Sequence, residues 1–384
     1  MTGAKAQPER ETSGHDVALY GITGALGREV LSALEVEHEG IARFFPIAGT
    51  HSAGGQTRWR GASPTVLSPA EVDPSSVDFA ILAIPSDAVA REAGRLLEAG
   101  ARLIDASGTL GSPPVPRALS HPAPLAWPGM SNFNSIDLED ETALALPSAA
   151  VSTLAPLIDA ILVAHAGGAL PRLTGVDATV LLAASSAGRT GVEALSRHAV
   201  GLLNYRPILD PRPFPTALAF NVIGPSTDDT VLFEARATSE LRRLCSALGD
   251  ARIELQPIWI PSFSGICASV SLRFDAPVDP GVFQRVLAAH PELAFGMPIE
   301  VPADDIDDTD DLEPDEAPAE VEPPMPEDVL SLRGVLERHD VRVSTPLFGP
   351  DGSVRVVLMA DPIERTAQAA ATILMKWMAV LDAD

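Results

Sequence analysis

A glycine-rich segment near the N-terminus has the spacing of a phosphate-binding turn. The sequence GITGALG places Gly21, Gly24 and Gly27 after an apolar run and before a helical pattern. Glycines at this spacing permit a tight turn, close approach of a pyrophosphate and close helix packing, and the helix N-terminus offers free N–H groups. The pattern predicts a dinucleotide site, and the alternative is a turn that only preserves the fold. The candidate contacts are Gly21, Thr23, Gly24, Ala25, Leu26 and Gly27.

The stretch after the second predicted strand bears on the kind of cofactor. A typical NAD site has an acidic residue there for the ribose hydroxyls, but residues 47–54 read IAGTHSAG and hold neither an acid nor an arginine. Thr50, His51 and Ser52 are the candidate contacts for an NADP 2′-phosphate, and an ordinary surface loop is the alternative for His51. The cofactor is therefore predicted to be NADP or NAD, unless nucleotide binding has been lost.

Apolar runs alternate with helical patterns around the glycine turn. The runs VALYGIT, FFPIAGT, VDFAILAIP and RLIDAS predict βαβ units and a parallel sheet. We therefore predict an α/β protein whose residues 16–150 form a Rossmann-like, doubly wound dinucleotide-binding domain. Longer runs follow (TGVDATVLLAASSA, ARIELQPIWIP and ICASVSLRF), with helical stretches such as SELRRLCSALG between them. They predict a second, α+β domain at 151–345 with a mixed or antiparallel sheet.

Three further segments complete the predicted organisation. Residues 1–15 are polar and are predicted to be a disordered tail. Residues 346–384 end in a long amphipathic stretch, which is expected to pack back on the first domain. Residues 302–328 are acidic and proline-rich and cannot bury enough apolar surface to order themselves. This insert is interpreted as a solvated loop, and the alternative is a docking segment for a basic partner.

Composition excludes several classes of function. A length of 384 residues suggests two domains, and a formal net charge of −25 opposes binding to nucleic acid or an anionic membrane. No apolar run reaches the ~20 residues of a membrane-spanning helix, and no signal-peptide core precedes the first strand, so we expect a cytoplasmic protein. The cysteines Cys245 and Cys267 are too few and too isolated for a disulfide framework or a zinc site, so no metal is expected.

Later motifs resemble those of the aspartate-semialdehyde dehydrogenase family. After GITGALG come THSAGG, then AASSAGRTGVEAL, then FPTALAFNVIGP at residues 214–225, in the family's order and over about residues 17–380. The resemblance implies a dinucleotide-binding domain and an α+β domain whose sheet forms a homodimer interface. It also implies reduction of β-aspartyl phosphate with NADPH, through a cysteine that forms a thioacyl enzyme and a histidine that moves the proton.

The residues that perform this chemistry in the family are absent here. The family's Asn-Pro-Asn-Cys-Ser-Thr segment corresponds to LPSAAVST, so Ala149 holds the nucleophile position. The base position holds Ile266, the carboxylate-binding arginine is Trp259, and the glutamine before the Ser-Gly-Ala-Gly segment is Leu182. The phosphate-binding arginine is missing from the stretch after Asp105, and Pro362 replaces an asparagine beside the nicotinamide, so catalytic residues are predicted to be lost.

A few polar residues remain near these positions. Glu234 and Arg236 match the family's substrate-binding Glu-x-Lys loosely, with surface charges on a helix as the alternative. Ser148 and Ser152 are interpreted as helix caps, because a serine nucleophile needs an adjacent base. Cys267, beside the lost histidine, is interpreted as an inert buried thiol.

We therefore hold three hypotheses. The first is a catalytically inactive homodimeric homologue with a structural or regulatory role or an unknown protein partner. The second is an NADP-dependent oxidoreductase of the same class with a rebuilt site. The third is retained ancestral activity.

Overall fold

The computed structural model describes residues 14–295 and 330–383. Its first sheet is parallel and has five strands. The predicted acidic insert and most of the predicted tail lie outside the described residues. The strands are β1 (His15–Tyr20), β2 (Ile41–Ile47), β3 (Phe79–Leu82), β4 (Arg102–Asp105) and β5 (Ala143–Ala145), in the order β2-β1-β3-β4-β5. Helices α1 (Ala25–Val36) and α2 (Ser86–Glu98) connect strands of this sheet.

The burial of these strands follows from their sequence. Strands β1 and β3 are almost continuous apolar runs, as expected for parallel strands covered on both faces. Pro46 cannot donate to a ladder, and it lies in β2, which is an edge strand of the sheet. The predicted Rossmann-like arrangement is confirmed, with β1 beginning at His15, one residue inside the predicted tail.

The second sheet is mixed, as predicted, and has seven strands among the described residues. Its main order is β7-β6-β8-β12-β10-β9, with β11 paired to β12. The helices and strands of this second domain are α3 (Ala149–Ala166), β6 (Leu173–Leu182), α4 (Gly188–Leu203), α5 (Thr227–Leu244), β7 (Arg252–Trp259), β8 (Ile266–Phe274), α6 (Pro280–Ala288), β9 (Leu293–Phe295), β10 (Val341–Val343), β11 (Leu347–Phe348) and β12 (Val354–Ala360).

The C-terminal helix α7 (Pro362–Leu381) returns to the first domain, as predicted. Trp377 is fully buried there, with its ring 5.6 Å from that of Phe79 and its Nε1 donating to the carbonyl of Leu138 at 2.6 Å. The predicted boundary at residue 346 is too early, because β12 pairs with β8 in the second sheet. The chain leaves that sheet only where α7 begins.

Helix α3 is the central helix of the second domain. Its 18 residues are long and apolar enough to cross a membrane by composition alone, but 72% of it is buried inside the protein. It packs against α5, α6 and strands of the second sheet. Its apolar character is therefore that of a core helix, and its N-terminus points to the junction of the two domains.

Candidate nucleotide site and candidate catalytic centre

The three glycines of the turn have different environments. A Cβ on Gly21 would lie 2.2 Å from the carbonyl oxygen of Ala83, and one on Gly27 would lie 2.1 Å from that of Gly21. A Cβ on Gly24 would have only one neighbour within 4 Å, the Gly21 oxygen at 3.2 Å. Backbone packing therefore requires the first and third glycines, whereas Gly24 keeps the outer surface of the turn open.

The N-terminus of α1 has the features of an anion site. Gly24 is its N-cap, no side chain caps the helix, and no acidic residue lies in the first turn. The first N–H groups of a helix have no intrahelical partner and carry partial positive charge. Thr23 and Ala25 are exposed, Leu26 is half-buried, and Arg28 donates to the Thr23 carbonyl at 3.1 Å. This surface fits a phosphate group.

The loop after β2 lies beside this turn. The N–H groups of Gly21 and Ile22 donate to the carbonyl of Ile47, the last residue of β2, at 2.8 and 3.1 Å. The structure thus brings the two groups of cofactor candidates to the same edge of the sheet. The candidates of the second group, all exposed, are Thr50, His51 and Ser52.

Three of the positions at which the sequence predicts lost catalytic residues form one row across the second sheet. Leu182 on β6 pairs with Trp259 on β7 and with Ile266 on β8. Leu182 and Ile266 are buried in the core, and the Trp259 ring lies 5.2 Å from that of Phe214. The row has no titratable side chain.

Ala149 is the first residue of α3 and packs against the same core as this row. Pro362 begins α7 directly after β12, whose Ala360 pairs with Ile266. Strand register therefore brings Leu182, Trp259 and Ile266 together, and Pro362 follows the strand that pairs with Ile266.

A polar cluster lies at the start of α3. The N–H and the hydroxyl of Ser148 both donate to Oε2 of Glu240, at 2.8 and 2.6 Å. Arg236 donates from Nε to Glu240 Oε1 at 2.8 Å and from Nη2 to the carbonyl of Ser107 at 3.1 Å. Glu240 is only 2% exposed, so this charge is buried with its partners.

The interpretation of the two serines as caps is wrong for their hydroxyls. Ser148 occupies the N-cap position of α3, but its hydroxyl donates to Glu240 and accepts no helix N–H. Ser152 lies one turn inside the helix and donates to the carbonyl of Ala149 at 3.1 Å. The buried Glu240 carboxylate therefore accepts from both the N–H and the hydroxyl of the N-cap residue.

The structure separates the two predicted substrate-binding residues. Glu234 accepts from the N–H of Leu255 on edge strand β7 at 3.0 Å, whereas Arg236 faces the start of α3. Glu240 is the carboxylate that meets Arg236, and sequence reasoning missed it. The four-residue spacing from Arg236 to Glu240 on one helix face was the available signal.

Arg243 lies one turn beyond Glu240 and binds the first domain. It donates to the carbonyl of Gly111 and, at 2.7 Å, to that of Ala123, and burial lowers the pKa of its guanidinium. The buried Asp105 organises the same loop by accepting from the N–H groups of Ser107 and Leu110 at 2.9 and 2.7 Å. Burial raises the pKa of Asp105. Arg236 and Arg243 of α5 thus bind loop carbonyls at the domain junction.

Neither described cysteine is placed for nucleophilic chemistry. Burial raises the pKa of Cys267 to about 11 and also raises that of Cys245. Cys267 lies within β8, opposite Leu181 and Met359. A thiol needs to be ionised to attack an acyl group, so both remain protonated at neutral pH. Within residues 14–295 and 330–383, no three His, Cys, Asp or Glu side chains are grouped to hold a metal ion.

The parallel sheet and its open glycine turn define a two-domain α/β protein of the dinucleotide-binding class. A family model described as the NAD-binding domain of semialdehyde dehydrogenase matches residues 16–138. This range contains the glycine turn and the loop after β2. The match supports binding of a nucleotide cofactor by the first domain.

Two relatives are known as USG-1 protein homologs. That of Pseudomonas aeruginosa is 30% identical over 71% of this chain and 78% of its own length, and that of Azotobacter vinelandii is 26% identical over 75% and 82%. An aspartate-semialdehyde dehydrogenase of Legionella pneumophila is 25% identical over 72% of this chain and 76% of its own length. The chain belongs to the aspartate-semialdehyde dehydrogenase family, which confirms the resemblance found in its motifs.

Solved structures share the fold over almost the whole chain. One is a probable aspartate-semialdehyde dehydrogenase from Pseudomonas aeruginosa, with a TM-score of 0.75, 24% identity, and coverage of 95% of this chain and 98% of that one. Another is aspartate semialdehyde dehydrogenase II from Vibrio cholerae, with a TM-score of 0.76, 19% identity, and coverage of 97% and 100%.

Proposed function

We propose that this chain is a nucleotide-binding member of its family that does not catalyse the semialdehyde dehydrogenase reaction. The start of α3 carries the argument. Ala149 stands where the family's cysteine is expected, and a methyl group can form no thioacyl intermediate. The hydroxyl of the adjacent Ser148 is bound to Glu240. That carboxylate is already paired with Arg236, which makes it a weak base for activating serine.

The surroundings of Ala149 support the same conclusion. Ile266 and Leu182 place buried hydrocarbon where a proton carrier and an amide are expected. Trp259 provides an indole where a guanidinium would bind a carboxylate at two points, and indole has a single donor. Loss of a nucleophile or base alone lowers turnover by several orders of magnitude in other enzymes.

The α5 cations are a further support. Arg236 and Arg243 of α5 both donate to carbonyls of the first-domain loop. A phosphate that entered here would have to break these contacts. We interpret them as a structural connection between the domains, in keeping with a scaffold or regulatory role toward an unknown protein partner.

We propose NADPH or NADH as the ligand of the first domain, bound with its pyrophosphate at the α1 N-terminus. Thr50 and His51 would contact a 2′-phosphate, which would favour NADP. Calorimetric titration of the purified protein with both nucleotides tests this. Saturable binding of either nucleotide is the expected result. If no heat is released at millimolar nucleotide, the glycine turn serves only the fold and the proposed nucleotide site is wrong.

We also propose a homodimer formed through the outer face of the second sheet. This face carries a cavity of about 410 Å³ lined by side chains such as Thr179, Ser269 and Arg355. The α5 residues Thr230 and Glu234 also line it, and the neighbouring Leu232 is 71% exposed. Light scattering after gel filtration should give twice the chain mass. Ser269→Glu should yield monomers, whereas Ser269→Thr should not, and a monomeric wild type would contradict the dimer.

One observation favours a second candidate, an NADP-dependent oxidoreductase with a rebuilt centre. A serine hydroxyl lies 2.6 Å from a buried carboxylate at a helix N-terminus, the position at which the family performs acyl chemistry. If Ser148 is a nucleophile, aldehyde-dependent NADPH formation should be measurable and should disappear in Ser148→Ala. Absence of turnover in the wild type would exclude this candidate for the substrates assayed.

A further inference from the structure

The segment that joins α4 to α5 concentrates exposed apolar side chains. In residues 14–295 and 330–383, thirteen large apolar side chains are exposed, and seven of them lie within residues 197–222, here called the α4–α5 surface. Tyr205, Leu209 and Phe220 are 98%, 90% and 70% exposed. Single exposed apolar side chains are normal, whereas a concentration of them marks an interaction surface.

The α4–α5 surface is folded back on α4. The N–H of Arg206 donates to the carbonyl of Gly201 at 2.8 Å, and a Cβ on Gly201 would lie 2.7 Å from Ile208 Cδ1, so this side chain packs closely on the helix. Tyr205 and Phe220 have φ angles of 53° and 57°, which bulky residues rarely adopt. Backbone of this kind costs free energy, and it concentrates at functional sites, where the surroundings hold it. The fold therefore holds Tyr205 in its exposed position.

The α4–α5 surface is positive in a strongly acidic protein. It contains three arginines and one carboxylate, a net charge of +2, whereas the whole chain has −25. The carboxylate, Asp210, is paired with Arg212. Arg197 donates to main-chain carbonyls at 3.4 Å, and Arg206 has no side-chain partner within the described residues. Two cations without an acidic partner therefore lie beside the exposed apolar side chains.

The acidic insert is attached beside this surface. A few residues after it, Leu332 packs on Gly265, where a Cβ would lie 3.0 Å from Leu332 Cδ2. Gly265 belongs to the loop between β7 and β8, in which Phe263 is 49% exposed and its carbonyl accepts from the N–H of Ser185, just before α4, at 3.0 Å. The downstream end of the insert is therefore attached at the end of the second sheet from which α4 begins. Its upstream end follows Phe295 on β9, five strand spacings or about 24 Å from β7, a distance that about seven extended residues span.

We propose that the acidic insert, residues 302–328, binds to the α4–α5 surface of its own chain. The insert has thirteen carboxylates and no lysine or arginine, so its charge complements Arg197 and Arg206. Opposite charges attract within a Debye length of about 8 Å at physiological ionic strength. A segment that lacks apolar surface of its own can become ordered on a partner surface. The apolar side chains that the insert offers are Ile306, Leu312, Val321 and Met325. The proposal is independent of the nucleotide site.

Acetylation of Tyr205 by N-acetylimidazole measures whether this surface is covered. The only other tyrosine, Tyr20, is 1% exposed, so the reaction at Tyr205 can be followed by mass spectrometry of its peptide. A tethered segment has an effective concentration on the order of 1 mM, so a Kd of about 0.1 mM would slow the reaction about tenfold. We expect this difference between the wild type and a variant in which a Gly-Ser segment of equal length replaces residues 302–328. The difference should shrink as sodium chloride is raised to about 1 M, where the Debye length is about 3 Å.

Arginine variants assign the effect to the α4–α5 surface. Arg197→Gln and Arg206→Gln should each speed acetylation about twofold in the wild type, as expected for exposed ion pairs, and should have no effect in the Gly-Ser variant. Arg172→Gln is the matched control, because Arg172 is an exposed cation just before β6, and it should change neither rate. Equal acetylation rates with and without the insert would overturn the proposal. Slow acetylation in both proteins that rises on dilution would also overturn it, because a second copy would then cover the surface.

Discussion

The glycine turn of the first domain and the start of α3 in the second differ in how they would bind a ligand. At the turn, backbone N–H groups and the absence of side chains form the site. At the start of α3, the chemistry would depend on reactive side chains, and the side chains of Ala149 and Ile266 are hydrocarbon. Packing requires Gly21 and Gly27 whatever the domain binds, so the presence of these two glycines does not by itself indicate a nucleotide site. Within the turn itself, the open surface at Gly24 and the uncapped helix are the features that indicate a ligand.

The largest expected effect separates packing from binding within the turn. Gly27→Ala should lower the free energy of unfolding by at least about 3 kcal/mol, because its Cβ would collide with the backbone of Gly21. Gly24→Ala should cost less than about 1 kcal/mol. Urea unfolding of the two variants measures the difference, and equal losses would contradict the division of roles.

The second effect concerns the cluster at α3. Glu240→Ala should cost about 2 kcal/mol, because the Ser148 N–H and hydroxyl and the Arg236 guanidinium all lose their acceptor. Glu234→Ala is the matched control on the same helix, and it should cost about 0.5 kcal/mol, since the Leu255 N–H on an edge strand can turn to water. A control that is as destabilised as the test variant would mean that α3 does not depend on Glu240.

The third effect sharpens the case for the turn as an anion site. Ala25→Glu places a carboxylate in the first turn of α1 and should weaken NADPH binding about tenfold or more. Ala25→Gln has nearly the same shape without the charge, and it should weaken binding much less. Calorimetry compares the two, and indistinguishable affinities would argue that the pyrophosphate lies elsewhere.

The smallest effect is expected at Cys267. Cys267→Ala should change neither nucleotide affinity nor any turnover. Because burial raises the thiol pKa to about 11, alkylation at pH 8 should be far slower in the folded protein than in urea. The unfolded chain loses this proton first, near pH 9, so the thiol favours the folded state below pH 9 and that contribution is lost as pH rises to about 11. Rapid alkylation of the folded protein at pH 8 would show an accessible thiolate.

Local signals in the sequence account for much of the fold. Alternating apolar runs predicted β1 to β4, and the glycine spacing predicted the turn that opens α1. The short strands β5 and β9 to β11 were missed, since two or three residues show no periodicity. Helix α5 begins at Thr227, well before the stretch predicted to be helical. The cap at Ser226, whose hydroxyl accepts from the N–H of Asp229, was a signal that could have located this start.

The candidate site was predicted less completely than the fold, because its contacts depend on how distant parts of the chain come together. That Leu182, Trp259 and Ile266 lie side by side depends on strand register across β6, β7 and β8, which no local pattern fixes. Glu240 acquires its role from Ser148, 92 residues away in the chain, and Arg243 from the carbonyls of Gly111 and Ala123, 132 and 120 residues away. Such contacts form only when the two domains meet.

The most direct test of the central claim is NADPH formation by the purified protein with aspartate semialdehyde, phosphate and NADP. Our account predicts saturable nucleotide binding with no turnover above the protein-free rate, for the wild type and for Cys267→Ala alike. Wild-type turnover that is abolished in Ser148→Ala or Cys267→Ala would contradict it, because a side chain interpreted here as structural would then be the nucleophile.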